Sequence, residues 1–265
     1  MKQIGITETY DPCFVSDWET KLLDVNIIIS KELSDEMIEK LLIVQDKVIF
    51  HHTVTGQGGT ILEPGVKTPE FEFEQFKKLM DRGFDPTHYV LRIDPMIMFN
   101  PENIKNIKKV LDMWSDYCKE HSCWLRCRVS IVDLYGHAKQ RLTDAGVTIP
   151  WDSFTAPQMV FDKAEEILYP YDNQLVFECC AEQNFSGNFI HRCGCASIVD
   201  VKILGVEDKD SYGMPESKQR KDCMCLAKKQ ILSVKPGRCP HQCLYCFWKW
   251  NLLVGVYKWL INYYI

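Results

Sequence analysis

Short runs of apolar residues alternate with amphipathic stretches along the first 180 residues of the chain. Several of these runs are apolar at nearly every position, which is typical of strands in a parallel sheet covered on both faces. Seven runs are therefore predicted to be strands, at residues 3–7, 25–30, 47–55, 89–94, 125–133, 175–180 and 230–235.

Three of the stretches between these strands begin with a residue that can cap a helix. Ser34 precedes one of them, whereas Thr68 and Asn100 are each followed by a proline, which is favoured in the first turn of a helix. Apolar residues recur at helical spacing behind each of these starts. A further helix is predicted over residues 156–168.

The repeated alternation of strand and helix predicts right-handed βαβ units and hence an α/β fold. We expect the parallel strands to form a TIM-like full or partial (β/α) barrel, with an open doubly wound sheet as the alternative. After residue 180 the pattern gives way to loops rich in Cys, Gly and Lys. Residues 1–265 are therefore interpreted as a single barrel-like domain, with a Cys-rich metal-binding part at 179–248 and an apolar C-terminal tail at 249–265.

The composition narrows the class of protein. With 265 residues, 46% of them hydrophobic, the chain is too apolar to be intrinsically disordered and long enough to bury a core without disulfides. Residues 1–8 contain no apolar segment of a secretory signal, so we expect a cytoplasmic protein in which thiols stay reduced. The 13 cysteines are then expected to bind metal or to take part in redox chemistry.

Cysteine and positive charge are both concentrated in the C-terminal part of the chain. Nine of the 13 cysteines fall between Cys179 and Cys246. Residues 201–265 hold eleven Lys and Arg against five Asp and Glu, a net charge of +6, which leaves −11 for residues 1–200 and −5 overall. A basic region permits an anionic substrate such as nucleic acid, although a group of thiolates would itself call for neighbouring cations.

Three of these cysteines, Cys239, Cys243 and Cys246, follow a C-x3-C-x2-C pattern. Three thiolates at this spacing can bind three irons of a [4Fe–4S] cluster and leave the fourth iron open to a small molecule. The pattern is typical of radical S-adenosylmethionine (SAM) enzymes, in which SAM binds the open iron, and Tyr245 could pack over that cofactor. The alternative is a zinc knuckle, although zinc sites usually have four ligands from two short pairs.

A second set of cysteines lies upstream, in three short groups. From these groups we predict a second metal site with four thiolate ligands: Cys180, Cys195, Cys223 and Cys225. Such a set suits either an auxiliary iron–sulfur cluster or a structural zinc ion. Cys179 and Cys193 would be neighbours of the site. The alternative is a set of buried thiols that bind no metal.

Residues near the ends of the predicted strands are candidates for binding the cofactor. Gly56, Gly58 and Gly59 would let backbone N–H groups approach an anionic or amino-acid-like ligand, unless they only form a turn. Arg92 and Asp94 alternate along the next strand, where they could bind the carboxylate and ribose hydroxyls of SAM or pair with each other. Weaker candidates for polar or proton-transfer roles are His51, His52, Asp133, Glu178 and Glu182.

Several short motifs occur in order along the chain. They are residues 53–60 with Glu63-Pro64, residues 91–95, residues 132–135, Cys180-Ala181-Glu182, Gln219-Arg220 with the pair Cys223 and Cys225, and the final C-x3-C-x2-C. In this set, over about residues 3–248, the chain resembles the domain-of-unknown-function family 1848, uncharacterised bacterial and phage proteins with a radical-SAM-like cysteine triplet at the C-terminus. The resemblance implies a barrel-like fold and binding of a cluster, and it supplies no reaction.

The triplet follows the last predicted strand, which suggests a circularly permuted radical SAM barrel, since the last and first strands of a barrel are neighbours. We therefore expect a radical-SAM-like enzyme that uses a [4Fe–4S] cluster and SAM on an unknown substrate, with a reductant such as flavodoxin or ferredoxin. The alternative is a non-catalytic iron–sulfur or zinc-binding protein on a barrel scaffold. The tail at 249–265 is shorter than the roughly 20 apolar residues of a membrane span. It would close the barrel or contact a membrane surface or a partner.

Overall fold

The computed structural model describes residues 2–207, 209–213, 222–234 and 238–247. The strands in these ranges are β1 (Ile4–Ile6), β2 (Asn26–Ser30), β3 (Val48–Thr53), β4 (Tyr89–Met96), β5 (Leu125–Ile131), β6 (Leu175–Cys179), β7 (Ile190–Arg192) and β8 (Lys229–Ile231). The α-helices are α1 (Asp35–Val44), α2 (Pro69–Asp81), α3 (Pro101–Glu120), α4 (Gly136–Asp144), α5 (Gln158–Leu168) and α6 (Ile198–Ile203). The predicted tail at 249–265 lies outside the described residues.

The eight strands form one parallel sheet in the order β7-β6-β5-β4-β3-β2-β1-β8. Strands that follow one another in the chain are therefore neighbours, except β8, which pairs with β1 with Gly5 opposite Gln230. The predicted α/β fold with a parallel sheet is confirmed, and the last strand lies beside the first. In the described ladders, β7 and β8 are the two outer strands.

The three predicted helix starts are confirmed. The side-chain oxygens of Ser34, Thr68 and Asn100 each accept a hydrogen bond from the backbone N–H three residues further on. This is the N-cap interaction, which satisfies an otherwise unpaired donor of the first turn. The helix predicted at 156–168 is α5. Two short helices, α4 and α6, and the three-residue strand β7 were not predicted.

Apolar side chains cover both faces of the sheet, as β2 shows. Ile28 packs in a large cluster with side chains of α1 to α5, whereas Ile27 belongs to a smaller cluster on the opposite face, together with residues of α6. Along β3, this second face changes from apolar Ile49 to polar His51 and Thr53 toward the C-terminal end. Polar side chains therefore collect at the C-terminal ends of the strands. In the part of the chain that the structure describes, no helix combines the length and apolar character of a membrane span.

Candidate functional site

A cavity of about 750 Å³ opens at the C-terminal ends of the strands. Its wall contains residues within two positions of six of these ends: Thr7, Lys31, Thr53, Asp94, Ser130 and Cys180. The cysteines of both predicted sets also line it: Cys180, Cys195, Cys223, Cys225, Cys239, Cys243 and Cys246. Parallel α/β sheets bind ligands at this edge, so this cavity is the candidate site.

The C-x3-C-x2-C loop follows β8 and turns tightly. The backbone N–H of Gln242 donates to the carbonyl oxygen of Cys239 (3.3 Å), and that of Cys246 donates to the carbonyl oxygen of Cys243 (3.2 Å). Cys243 is buried, and the other two cysteines are half-buried. Burial raises the pKa of the Cys243 thiol above its usual value. A metal bound there would have to displace the thiol proton.

The segment that follows β3 holds this loop through backbone hydrogen bonds. The N–H of Leu244 donates to the carbonyl oxygen of Leu62 (3.0 Å), and the N–H of Gly65 donates to that of His241 (3.1 Å). A Cβ atom on Gly65 would lie 2.2 Å from the carbonyl oxygen of Pro240, which is closer than real contacts allow. Only glycine therefore permits this approach of the two backbones.

Arg141 of α4 also holds this loop, and no sequence pattern predicted that contact. Its Nε atom donates to the carbonyl oxygen of Leu244 (2.9 Å), and a terminal guanidinium nitrogen donates to the carbonyl oxygen of Cys246. The arginine is only 4% exposed. It therefore fixes the backbone around the last cysteine through charge-assisted hydrogen bonds.

An aspartate and a histidine connect the loop to β2. His241 Nε2 lies 2.8 Å from Asp11 Oδ2, and Asp11 also accepts hydrogen bonds from Ser30 Oγ (2.6 Å) and the N–H of Lys31 (2.7 Å). Burial raises the pKa of Asp11, but the bond and charge of His241 outweigh it and lower the pKa to about 2. Together with Cys13, Asp11 and His241 offer three ligand atoms within 4.8 Å of one another.

A half-buried lysine lies next to the triplet. Lys31 Nζ donates to Glu63 Oε1 (2.7 Å) and to the Tyr245 hydroxyl (2.9 Å), and that hydroxyl donates to Glu63. Burial lowers the pKa of Lys31, but the charges of Glu63 and Cys243 outweigh it and raise the pKa. Lys31 is thus held as a cation beside Cys243, where it can neutralise thiolate charge.

The structure brings three cysteines of the second set into one group and places the fourth, Cys195, beside two of them. Cys180 Sγ lies 3.7 Å from Cys223 Sγ and 3.6 Å from Cys225 Sγ, and these three sulfur atoms are all within 4.8 Å of one another. The N–H of Cys195 donates to Cys225 Sγ (3.0 Å). Interactions with the thiols of Cys180 and Cys225, followed by the charges of two nearby arginines, lower the pKa of Cys195.

The two neighbouring cysteines lie outside this group, as the sequence interpretation has them. Cys179 packs in the large apolar cluster. Cys193 Sγ instead contacts Arg128 (3.7 Å) and Ser197 Oγ (3.5 Å). Gly194 stands between Cys193 and Cys195, and a Cβ atom added to it would lie 2.5 Å from the carbonyl oxygen of Met224. The glycine therefore allows two cysteine loops to approach each other.

One threonine and three charged side chains in register form a row across the strands that support the cavity. Thr53, Arg92, Arg128 and Glu178 are paired positions on β3, β4, β5 and β6. Arg92 pairs with Asp94, and both line the cavity. Glu178 accepts from Arg128 (2.8 Å) and lies behind the wall, whereas Asp133 is part of the wall. The buried Glu182 follows Cys180 and is also outside the wall.

The three predicted glycines are not brought to the cavity. A Cβ on Gly56 would lie 2.7 Å from the carbonyl oxygen of Asn106 in α3, and one on Gly58 would lie 1.9 Å from that of Lys67. Gly59, with φ of +78°, completes the turn. These glycines allow close packing of backbone on backbone, in place of the ligand contact that was expected.

The two strand histidines have different surroundings. His52 contacts Glu72 (2.9 Å) and the hydroxyl of Tyr89 (3.0 Å), so it is a packed and fully paired side chain. His51 is fully buried, and neither ring nitrogen has a hydrogen-bond partner among the described residues. Burial, and then the charge of Arg128, lower the pKa of His51 well below its usual value. His51 is therefore held neutral beneath the cavity.

Comparison with known proteins gives one match. Residues 5–248 match the model of a family described as a domain of unknown function, DUF1848. No curated protein and no solved structure matches the chain. The resemblance inferred from the ordered motifs is thus confirmed.

Proposed function

We propose that the chain, which belongs to the DUF1848 family, is a radical-SAM-like iron–sulfur enzyme whose Cys239, Cys243 and Cys246 bind a [4Fe–4S] cluster. The supporting observation is that three thiols of one loop open into a cavity at the C-terminal edge of a parallel sheet. When bound and reduced by a protein such as flavodoxin or ferredoxin, such a cluster supplies the electron that cleaves SAM into methionine and a 5′-deoxyadenosyl radical, which takes a hydrogen atom from the substrate.

The donor set fits such a cluster. Among the described residues, the three thiols do not form a group with all sulfur atoms within 4.8 Å, whereas Cys180, Cys223 and Cys225 of the second set do. Thiolates that bind separate irons must be spread more widely than thiolates around one ion. The half-buried Lys31 beside Cys243 offsets part of the thiolate charge.

Residues that line the cavity can bind the charged groups of SAM. Arg92 offers a guanidinium for the carboxylate, and Asp94 offers oxygens for hydroxyls or the ammonium. Tyr245 lies between two cysteines and also lines the cavity, so its ring can pack on the cofactor. The cavity volume is within the range of about 300–1,000 Å³ that is usual for small-molecule sites.

The strand order supports a TIM-like partial (β/α) barrel that is circularly permuted. The loop that carries the triplet follows β8, and β8 pairs with β1, so the triplet lies at the start of the strand order although it is last in the chain. The single-domain organisation and the cytoplasmic location stay predictions. Nucleic acid also stays a prediction for the substrate, because much of the basic C-terminal region is outside the described residues.

Anaerobic purification tests the proposal. We expect a brown protein with about four irons per chain bound by the triplet, which cleaves SAM when a reductant is added. Cys243→Ala should remove these irons and the cleavage, whereas Cys123→Ala, far from the cavity, should keep both. A protein that binds iron through the triplet but does not cleave SAM would favour the non-catalytic alternative. Unchanged iron in Cys243→Ala would refute the site.

A further inference from the structure

Three cysteines of the second set, Cys180, Cys223 and Cys225, have the spacing of ligands around a single ion. Four thiolates placed tetrahedrally at about 2.3 Å from a zinc ion are about 3.8 Å apart. The sulfur of Cys180 lies 3.7 Å from that of Cys223 and 3.6 Å from that of Cys225. We infer that Cys180, Cys195, Cys223 and Cys225 bind one tetrahedral divalent ion of the zinc class, and that this site is not an iron–sulfur cluster.

The contrast with the triplet supports this assignment. In a cluster each thiolate binds its own iron, or shares one iron with a single other thiolate, so three ligand sulfurs cannot all be close together. The sulfurs of Cys180, Cys223 and Cys225 are all within 4.8 Å of one another. Both sets line the same cavity, yet among their described residues three mutually close sulfurs occur only in the second set. The inference does not depend on what the triplet binds.

Cys195 completes the set as the fourth ligand. Its thiol interacts with those of Cys180 and Cys225, and its N–H donates to Cys225 Sγ. A backbone donor to a ligand sulfur is an outer contact that orients the thiolate toward the ion. The close approach of Gly194 to Met224 brings the two loops that carry these cysteines together.

The charge around the site suits four thiolates. Four thiolates with one divalent cation carry a net charge of −2, which needs nearby positive groups. The guanidinium groups of Arg92 and Arg128 lie near Cys195, and Lys229 lies near Cys225 and Cys195. These cations come from β4, β5 and β8, three different strands, and all three line the cavity.

A closed site with four protein ligands is structural, because no position is left for water or substrate. Its ligands come from the end of β6, the loop before α6, and the segment that precedes β8. The ion would thus hold β8 in place, and β8 leads into the loop of the triplet. We expect it to support the first centre without taking part in chemistry.

The metal content of the full chain tests this inference. The variant Cys239→Ala/Cys243→Ala/Cys246→Ala should be colourless and contain one zinc per chain. Replacing zinc with Co²⁺ in this variant should give the intense charge-transfer and d–d absorption of tetrahedral cobalt with thiolate ligands. An iron–sulfur spectrum in the triple variant, or a folded variant with no bound metal, would overturn the inference. Neither result bears on the triplet, which the Cys243→Ala experiment tests separately.

A matched pair of variants tests the fourth ligand. Cys195→Ser should weaken Zn²⁺ binding at least tenfold in a chelator competition and change the cobalt spectrum. Cys193→Ser, two positions away and outside the set, should bind Zn²⁺ as the unmodified chain does. Equal binding in both variants would show that Cys195 is not a ligand. If Cys195→Ser does not fold, the cobalt spectrum of the triple variant still distinguishes four thiolate ligands from three.

Discussion

Replacement of Arg141 by Met tests whether α4 holds the loop of the triplet. The methionine keeps the apolar stem but removes the two hydrogen bonds to the carbonyl oxygens of Leu244 and Cys246. A hydrogen bond to a charged group contributes about 1.5–3 kcal/mol to stability. Removing two of them should therefore destabilise the loop by about 3 kcal/mol or more. Because both acceptors are in one loop, the loss should appear first as local opening of residues 239–247.

Hydrogen–deuterium exchange followed by mass spectrometry measures this opening. A loss of about 3 kcal/mol corresponds to roughly hundredfold faster exchange in peptides from 239–247, if the opening of the loop limits exchange. Peptides from α3 should keep their exchange rate. We also expect the Arg141→Met protein to lose iron faster than the unmodified protein when a chelator is added.

The control is Arg82→Met, which removes an exposed guanidinium paired with Glu39 on the helix surface. Exposed ion pairs contribute little, so exchange and iron content should be unchanged. If Arg141→Met exchanges like the control in residues 239–247, then the contacts of Arg141 do not hold the loop. The same result would remove the basis for calling Arg141 a positioning residue.

Three further predictions concern buried charges and a close backbone contact. Glu178→Gln leaves buried Arg128 without its acidic partner, while Arg126 keeps Asp200, so urea titration should show a loss of about 3–5 kcal/mol, and an unchanged midpoint would contradict this. The lowered pKa of Asp11 contributes about 2 kcal/mol that is fully present above pH 3.8 and lost as the pH falls toward 2. In Asp11→Asn this part of the pH dependence should be missing, and its persistence would refute the assignment. Gly194→Ala would place a Cβ 2.5 Å from the carbonyl oxygen of Met224 and should lower the zinc content, whereas Gly136→Ala, with no atom near its added Cβ, should not.

Local signals made most of the fold predictable. A cap such as Ser34 acts within one turn, so its effect can be read from adjacent residues. The helix α4 lacks this signal because the side chain of Tyr135 before it makes no cap bond. The helix α6 does carry a signal, the capping box of Ser197 and Asp200, but it lies in the Cys-rich stretch that was predicted to form loops. The strand β7 has three residues, too few to show a period.

The candidate site was predictable only in part. Parallel strands end at one edge of a sheet, so the meeting of Cys180, Arg92 and Asp94 at that edge follows from the order of the strands. The role of Arg141 does not, because its acceptors are backbone carbonyl oxygens about a hundred residues away, and every residue has such a group. The glycines of residues 56–59 show the converse. Their pattern suggests a ligand loop, but only the folded structure reveals that Gly56 packs against α3 and Gly58 against the backbone of Lys67.

The pairing of β8 with β1 has a consequence for the order of events during synthesis. The paired residues Gly5 and Gln230 are at opposite ends of the described chain, and β1 reaches the ribosome exit long before its partner. At about 5–20 residues per second, the 225 positions from Gly5 to Gln230 take roughly 11 to 45 seconds, during which the edge of β1 waits for β8. Unpaired strand edges attract other strands, so this interval is the one in which the nascent chain most needs protection. The triplet and two ligands of the second set are made last, which makes metal loading a step that follows translation of nearly the whole sheet.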